Sequence, residues 1–394
     1  MVSGRISAWQ RRAINVAALR DEARRVLPRA IFDFVDGGAG DEVTLRRNES
    51  AFDAVSLLPR PLEGAASRDL SMTLMGQKLS LPLMVGPTGL AGLLWPDGEA
   101  ASARAAAAAG TAYCLSHGSV CTLEELAATG AAPRWMQTYI YKDREFTREI
   151  AERSAAAGYN ALVVTIDTQL VGNRERDVRN GFLIPPRLSA GEVVRMAFRL
   201  PWLIRMRSSI PKITFGNYKR PGDGEDLTAL AERMVTLADP GSTWRDIEWL
   251  RGVWQGPLIL KGILHPVDAI EAVANGVDGV IVSNHGGRQM DGAAATLDAL
   301  PGVAEAVDGR ASVLLDGGIR RGSHIIKALA LGADCCLIGR PQFWGLAVGG
   351  EAGVTHVFDI FRRELDLAMG LSGLSAIDEI NSDILLSGNL GNPL

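Results

Sequence analysis

Five ionisable residues, Asp167, Lys261, His285, Asp316 and Arg340, each close a short apolar run, and Thr165, Ser283 and Asn284 stand beside them. A strand needs none of these for packing, and one buried Lys or His alone carries little meaning. Five at equivalent places do carry meaning, because the ends of parallel strands in a closed α/β barrel converge on one face, where barrel chemistry is found. The last two runs say what part of that face holds. In DGGIRRGSHIIKALALGADCCLIGRP, residues 316–341, Gly317, Gly318 and Gly339 let backbone N–H groups approach an anion, Arg320 and Arg340 supply charge, and Pro341 suits a helix start. Two glycine and arginine clusters on adjacent strands indicate a phosphate site, where a lone Gly-Gly would indicate only a turn.

The elements that position these residues follow from the pattern around them. Eight β-rich runs, at 81–89, 112–117, 134–140, 161–167, 257–263, 279–285, 312–318 and 335–340, alternate with helical stretches such as the Ala-rich 99–110, 122–128 and 265–276. Continuous apolar strands separated by helices predict a parallel sheet covered on its outer face, and eight units predict an α/β fold of the (β/α)8 TIM-barrel type. Strand ends recur every 23 to 31 residues, except that 94 separate Asp167 from Lys261. A helix over 243–254, with Thr243 and Asp246 as a capping box, must precede the fifth strand, so the excess, about 168–241, follows the fourth. An insertion there lies over the chemical face. Upstream, 16–42 reads as two helices broken near Pro28 and stopped by Gly37–Gly38, expected to cap one barrel end. The expected division is a helical cap and lead-in over 1–80, the barrel over 81–365 and a C-terminal helix and tail over 366–394.

Composition narrows the function class. Of 394 residues, 47% are apolar and 22% charged, enough for a large core and unlike a disordered chain. A net charge of −4 gives no global positive field to recruit nucleic acid. No run of 18 apolar residues exists and the N-terminus carries no apolar signal segment, so a cytoplasmic location is expected. Cys114, Cys121, Cys335 and Cys336 have no metal-ligand spacing and read as small apolar residues, so no metal is expected.

The motif SNHGGRQMD at 283–291 resembles the active-site signature of the FMN-dependent 2-hydroxy acid oxidases and dehydrogenases. PTGL (87–90), QTYIY (137–141), TIDT followed by GNRERD (172–177), LILKGI and the 314–334 stretch match that family in order and spacing, over roughly residues 16–388. Within it, GPTGL, WPDGE and GNRERD are most similar to the (S)-mandelate dehydrogenase branch. The resemblance implies FMN over the barrel mouth, its phosphate on Gly317, Gly318, Arg320, Gly339 and Arg340, with Asp316 at the ribityl chain. It places Pro87, Thr88, Gly89, Ser116, Gln137, Thr165 and Ser283 around the cofactor and Lys261 beside the flavin edge that gains negative charge on reduction. It implies His285 as the base, Asp167 as its hydrogen-bond partner, Arg288 and Arg174 on the substrate carboxylate, and a hydrogen bond from Tyr139. One position departs from the family pattern. Phe34 stands where a tyrosine usually contacts the carboxylate, and losing that charge-assisted bond costs about 1.5–3 kcal/mol. Gly118 stands where small-substrate members have a tryptophan, which predicts an open pocket and a bulky or aromatic 2-hydroxy acid, unless Phe198 or Trp202 refills the space. Gly89, in place of an alanine, favours a quinone-like acceptor over oxygen.

The insertion carries its own signal. Between 187 and 220 stand Arg187, Arg195, Arg199, Arg205, Arg207, Lys212, Lys219 and Arg220 against Glu192 alone. Interleaved with Val, Met, Phe, Leu, Trp and Ile, these resemble an interfacial segment for an anionic membrane, attached peripherally to the inner face of the cell membrane; a soluble, basic active-site lid is the alternative. A homo-oligomer is expected. Competing functions are an L-lactate dehydrogenase or an oxidase using oxygen, a non-redox FMN barrel isomerase, and a flavin-binding membrane protein without turnover.

Overall fold

The computed structural model describes residues 7–182, 191, 196, 198–219 and 238–386. A hairpin of β1 (Met72–Leu74) and β2 (Gln77–Leu79) stands apart from a closed parallel barrel. The barrel runs in chain order through β3 (Leu83–Thr88), β4 (Tyr113–Leu115), β5 (Arg134–Thr138), β6 (Ala161–Thr165), β7 (Leu258–Ile263), β8 (Gly279–Val282), β9 (Ser312–Asp316) and β10 (Cys335–Ile338), which pairs back to β3. All eight expected strands are present, and helices cover them outside.

Strand alternation decides which residues meet inside. Met84, Cys114, Trp135, Val163, Ile259, Ile281, Leu314 and Leu337 point inward and pack as one interior cluster, while neighbours such as Val85, Leu115, Met136, Val164, Leu260 and Val282 face the helices. Two residues further along each strand direction lie Gly86, Ser116, Gln137, Thr165, Lys261, Ser283, Asp316 and Gly339. The period of two thus puts one small or polar residue from each strand in the layer above the apolar interior, at the mouth. Register staggers these residues around the barrel: Thr165 pairs with Lys261, whereas Lys261 pairs with Ile281 and Asp316 with Leu337, the inward residues two before Ser283 and Gly339, as the tilt of barrel strands requires.

The helices Val16–Val26 and Arg29–Asp36 break at Pro28, and Gly37 ends the second, as expected. Their expected role as an end cap is realised differently. The first lies along the long helix Arg340–Ser372, and only the last turn of the second reaches the mouth. The opposite end is closed by the hairpin, whose Leu74 and Leu79 join the interior cluster and whose Gln77 side chain accepts from Trp135 Nε1 at 3.0 Å. The long helix, kinked at Gly350, continues through residue 366, so the expected boundary at 365/366 falls inside one element. The insertion follows β6, and its end is the helix Trp244–Val253, where the Asp246 carboxylate accepts from the Thr243 N–H at 2.7 Å.

Candidate active site

A single cavity at the mouth is lined by residues from most strand ends and from the insertion, among them Phe34, Pro87, Thr88, Gly89, Ser116, Gly118, Gln137, Tyr139, Thr165, Arg174, Lys261, His285, Arg288, Asp316, Gly317, Gly318, Arg320, Gly339 and Arg340. Of the predicted site residues, Asp167 and Ser283 stand behind this lining. The Ser283 hydroxyl accepts from Lys261 Nζ at 2.9 Å and from the His285 N–H at 3.1 Å, so it orients two lining residues.

At one end the residues suit a phosphate. Gly317 and Gly318 have φ of +94° and +77°, and a Cβ on Gly318 would fall 1.7 Å from the Asn48 carbonyl oxygen, so only glycine fits this turn. The helix Arg340–Ser372 starts here from Gly339, which offers no side-chain cap, leaving its first N–H groups for an anion. Arg320 already pairs with Glu49 at 2.7 Å, whereas Arg340 forms no ion pair among the described residues. Burial and the neighbouring Arg320 push the Arg340 guanidinium down to about 10, the mark of a cation short of counter-charge. Nearby, Lys261 Nζ lies 3.2 Å from Asp316 Oδ2. Burial alone would lower that ammonium, but Asp316 and Asp167 outweigh it and hold it above its ordinary value, so a fixed positive charge sits in the bed of the cavity. Asp316 Oδ1 is buried without a partner among the described residues, an acceptor suited to a hydroxyl such as a ribityl chain carries. Phosphate cradle, fixed cation and orphan acceptor lie along one cavity and fit FMN.

At the other end stands the proton-transfer pair. His285 has φ of +59°, and its Nδ1 lies 3.0 Å from Asp167 Oδ1. With Nδ1–H given to the carboxylate, Nε2 keeps the lone pair. Burial, reinforced by Lys261 and Arg174, lowers the imidazole below its ordinary value despite Asp167, so it is neutral near pH 7 and able to accept a proton. Burial would raise Asp167, but His285 and Lys261 outweigh it and keep it a carboxylate. Arg174 and Arg288 also line the cavity, and neither forms an ion pair among the described residues. Burial and the adjacent Arg174 and Arg340 push the Arg288 guanidinium well below its ordinary value, so an incoming anion would relieve it. Phe34 packs at 5.0 Å from Phe182, with Arg288 5.2 Å from its ring, in a place where no hydroxyl is offered.

Gly118 lines the same cavity. A Cβ there would meet only Ser116 Oγ, at 3.7 Å, so the glycine leaves room at the position where a side chain would begin. The residues named as able to refill it do not. Phe198 is 81% exposed, and Trp202, though buried, donates to the Leu93 carbonyl and lines no part of the cavity. Phe215 and Tyr218 line it instead, and sequence reasoning missed both. Their placement comes from Asn217, whose amide donates to Ser119 Oγ at 2.9 Å and accepts from the Leu123 N–H at 2.8 Å, docking the insertion onto the loop after β4. Gln289 was also missed as a site residue, although it lies within the quoted motif; its amide donates to the carbonyls of Asp167 and Leu170.

Within the basic stretch 187–220, Arg187, Glu192, Arg195 and Arg220 lie outside the described residues. The helix Leu200–Met206 buries Trp202 and Met206 and stacks Arg205 on Trp95 at 4.2 Å. Phe198, Leu200, Ile204 and Ile210 remain exposed, as do Arg199, Arg207 and Lys212. No helix among the described residues is long and apolar enough to cross a membrane.

The model of a family described as FMN-dependent dehydrogenase matches residues 23–387. The chain is 44% identical to an L-lactate oxidase of Nostoc over 94% of this chain and 98% of that one. It is 42% identical to human 2-Hydroxyacid oxidase 1 over 95% and 96%. Among solved structures, the monotopic membrane protein (S)-mandelate dehydrogenase superposes with a TM-score of 0.92 at 35% identity, over 95% of this chain and 99% of that one. By their names these relatives share a substrate class and differ in the acid they take.

Proposed function

The chain belongs to the FMN-dependent dehydrogenase family and is an FMN-dependent oxidoreductase of 2-hydroxy acids, and from that premise we propose that its substrate is a bulky, aromatic (S)-2-hydroxy acid of the mandelate kind. The observation that supports the substrate reading is the room at Gly118, in a cavity that the aromatic side chains of Phe215 and Tyr218 also line. A phenyl group buried there gains about 2–3 kcal/mol that glycolate lacks, and aromatic walls add edge-to-face contact.

The residues divide the work. Arg174 and Arg288 bind the substrate carboxylate with guanidinium forks, and Tyr139 adds a phenolic hydrogen bond to the same substrate. His285 Nε2 accepts the proton of the 2-hydroxyl, and Asp167 stabilises the imidazolium that results. That is the task of His285 where the α-hydrogen leaves as a hydride; where it leaves as a proton, Nε2 accepts that proton from the carbon instead. Gly317, Gly318, Arg320, Gly339 and Arg340 would hold the FMN phosphate, Asp316 the ribityl chain, and Pro87, Thr88, Gly89, Ser116, Gln137 and Thr165 the ring. Bound there, FMN supplies the two-electron acceptor that converts a 2-hydroxy acid to a 2-oxo acid. Lys261 keeps a positive charge beside the ring, where negative charge develops.

A quinone-like acceptor fits this chain better than oxygen. The exposed Phe198, Leu200, Ile204 and Ile210 among Arg199, Arg207 and Lys212 suit peripheral attachment to an anionic membrane, where such acceptors reside. Co-sedimentation with anionic vesicles at low salt, lost at high salt, is the expected result; a chain that stays in solution leaves the basic segment as a lid. For the substrate, steady-state rates with an artificial acceptor should give a higher kcat/KM for (S)-mandelate than for L-lactate or glycolate. Lactate equal or better would refute the open-pocket argument.

A further inference from the structure

The N-terminal helices do more than flank the barrel. The last turn of the helix Arg29–Asp36 is held by Arg20, whose guanidinium donates to both Asp36 carboxylate oxygens, and from three further sides. From the substrate end, Arg288 Nη1 donates to the carbonyls of Phe34 at 2.7 Å and Gly37 at 2.8 Å. From the phosphate end, Arg340 donates to the carbonyls of Asp36 at 3.2 Å and Gly37 at 2.8 Å. The Gly37 oxygen is therefore shared by one arginine on the substrate side and one on the phosphate side.

The third side is the insertion. Arg176, two residues after Arg174, leaves the cavity and reaches into the N-terminal segment, where its guanidinium meets Asp36 Oδ2 at 3.2 Å, Asp33 Oδ1 at 3.8 Å and the Glu42 carboxylate. Glu42 in turn accepts from the Gly38 N–H at 2.9 Å, and Asn180 donates to Asp33 at 2.8 Å. Burial would raise the Asp36 carboxyl, but Arg20, Arg340 and Arg176 together hold it low, so it is an anion clasped by guanidinium groups. A Cβ on Gly37 would lie 2.6 Å from the Asp33 carbonyl oxygen and 3.3 Å from Arg176 Cδ, so the turn and the arginine are in close contact.

We propose that Arg176 and Asp36 form a latch that fixes the Phe34–Gly37 turn and thereby aims Arg288 at the substrate carboxylate. The inference rests on the proposed function and assigns positioning residues to it. Arg288 lies close to Arg174 and Arg340, and its Nη1 donates to the carbonyl oxygens of Phe34 and Gly37. If the turn shifts, those oxygens shift, and the fork no longer meets a planar anion squarely. With Phe34 offering no hydroxyl, carboxylate recognition depends all the more on that aim. The latch also explains why Arg174 and Arg176 occur two apart in GNRERD: one faces the ligand and the other holds the wall opposite.

The test uses FMN-loaded enzyme and compares (S)-mandelate with its uncharged amide, which has the same aryl group and hydroxyl but no carboxylate. For Arg176→Gln the expected result is a KM for mandelate raised about tenfold, with the inhibition constant of the amide changed less than about twofold. Arg176→Lys should fall between the two, since it restores the charge without the fork. Equal weakening of acid and amide would show general loosening of the site and overturn the proposal, as would no change in either. If Arg176→Gln does not fold, Glu42→Gln removes one tie and should shift the same ratio in the same direction. Wild-type enzyme that binds neither acid nor amide would overturn the proposed function and this inference together.

Discussion

The two walls of the cavity are built on different principles. One, from β6 to β10, is chemical: Asp167, Lys261, His285, Asp316 and Arg340 hold or move charge, and each sits at or just beyond a strand end that the barrel fixes. The other, around Gly89 and Gly118, is shaped by what is missing and by what the insertion brings, Phe215 and Tyr218. The comparison teaches that reaction type and substrate choice reside on separate elements here, so each can be changed without the other.

The sharpest way to break that separation is at the chemical wall. His285→Ala should slow flavin reduction by substrate at least about a hundredfold and toward 10⁴-fold while FMN stays bound, because the residue handles a proton and not the cofactor. Anaerobic stopped-flow absorbance with a measured flavin content checks both parts. Lys261→Met should weaken FMN retention as well, since it leaves Asp316 without its cation.

A second, smaller effect concerns pH. The base must be unprotonated, and burial holds His285 below its ordinary 6.5, so the acidic limb of kcat/KM should have its midpoint below that value. Asp167 is the neighbour that raises His285, so Asp167→Asn should move the limb further toward acid. The same change should lower the plateau by roughly tenfold to hundredfold through loss of a charge-assisted bond to the imidazolium. A limb that moves upward instead would mean that Asp167 does not pair with the base.

At the other wall, Gly118→Trp tests shape alone. Filling the open space should cut kcat/KM for mandelate by roughly thirtyfold, the equivalent of about 2 kcal/mol of lost aryl burial, while activity toward glycolate changes little. A uniform loss on all substrates would show that the two walls are not independent.

The same contrast governs how much was legible in the sequence. Strand alternation marks Gly86, Ser116, Gln137, Thr165, Lys261, Asp316 and Gly339 as facing the barrel mouth, because each follows an inward apolar residue by two. Phe215 and Tyr218 follow no such period. They reach the cavity because Asn217 bonds Ser119 and Leu123, and because Gly216 can press against the backbone at Val120 and Cys121, both contacts between segments about a hundred residues apart. Hydrophobicity alone marks Phe198 and Trp202 equally well, yet one faces outward and the other packs on Leu93. The hairpin plug was missed for a similar reason: three-residue strands are too short to show a period.

Mixing the FMN-loaded enzyme anaerobically with (S)-mandelate and following the flavin absorbance tests whether one cavity couples an FMN to a base and a pair of arginines for a bulky 2-hydroxy acid. The account predicts rapid bleaching that saturates with mandelate, is slower or weaker with L-lactate and glycolate, and is lost in His285→Ala. A flavin that stays oxidised with every 2-hydroxy acid, or bleaches as readily without His285, would contradict it.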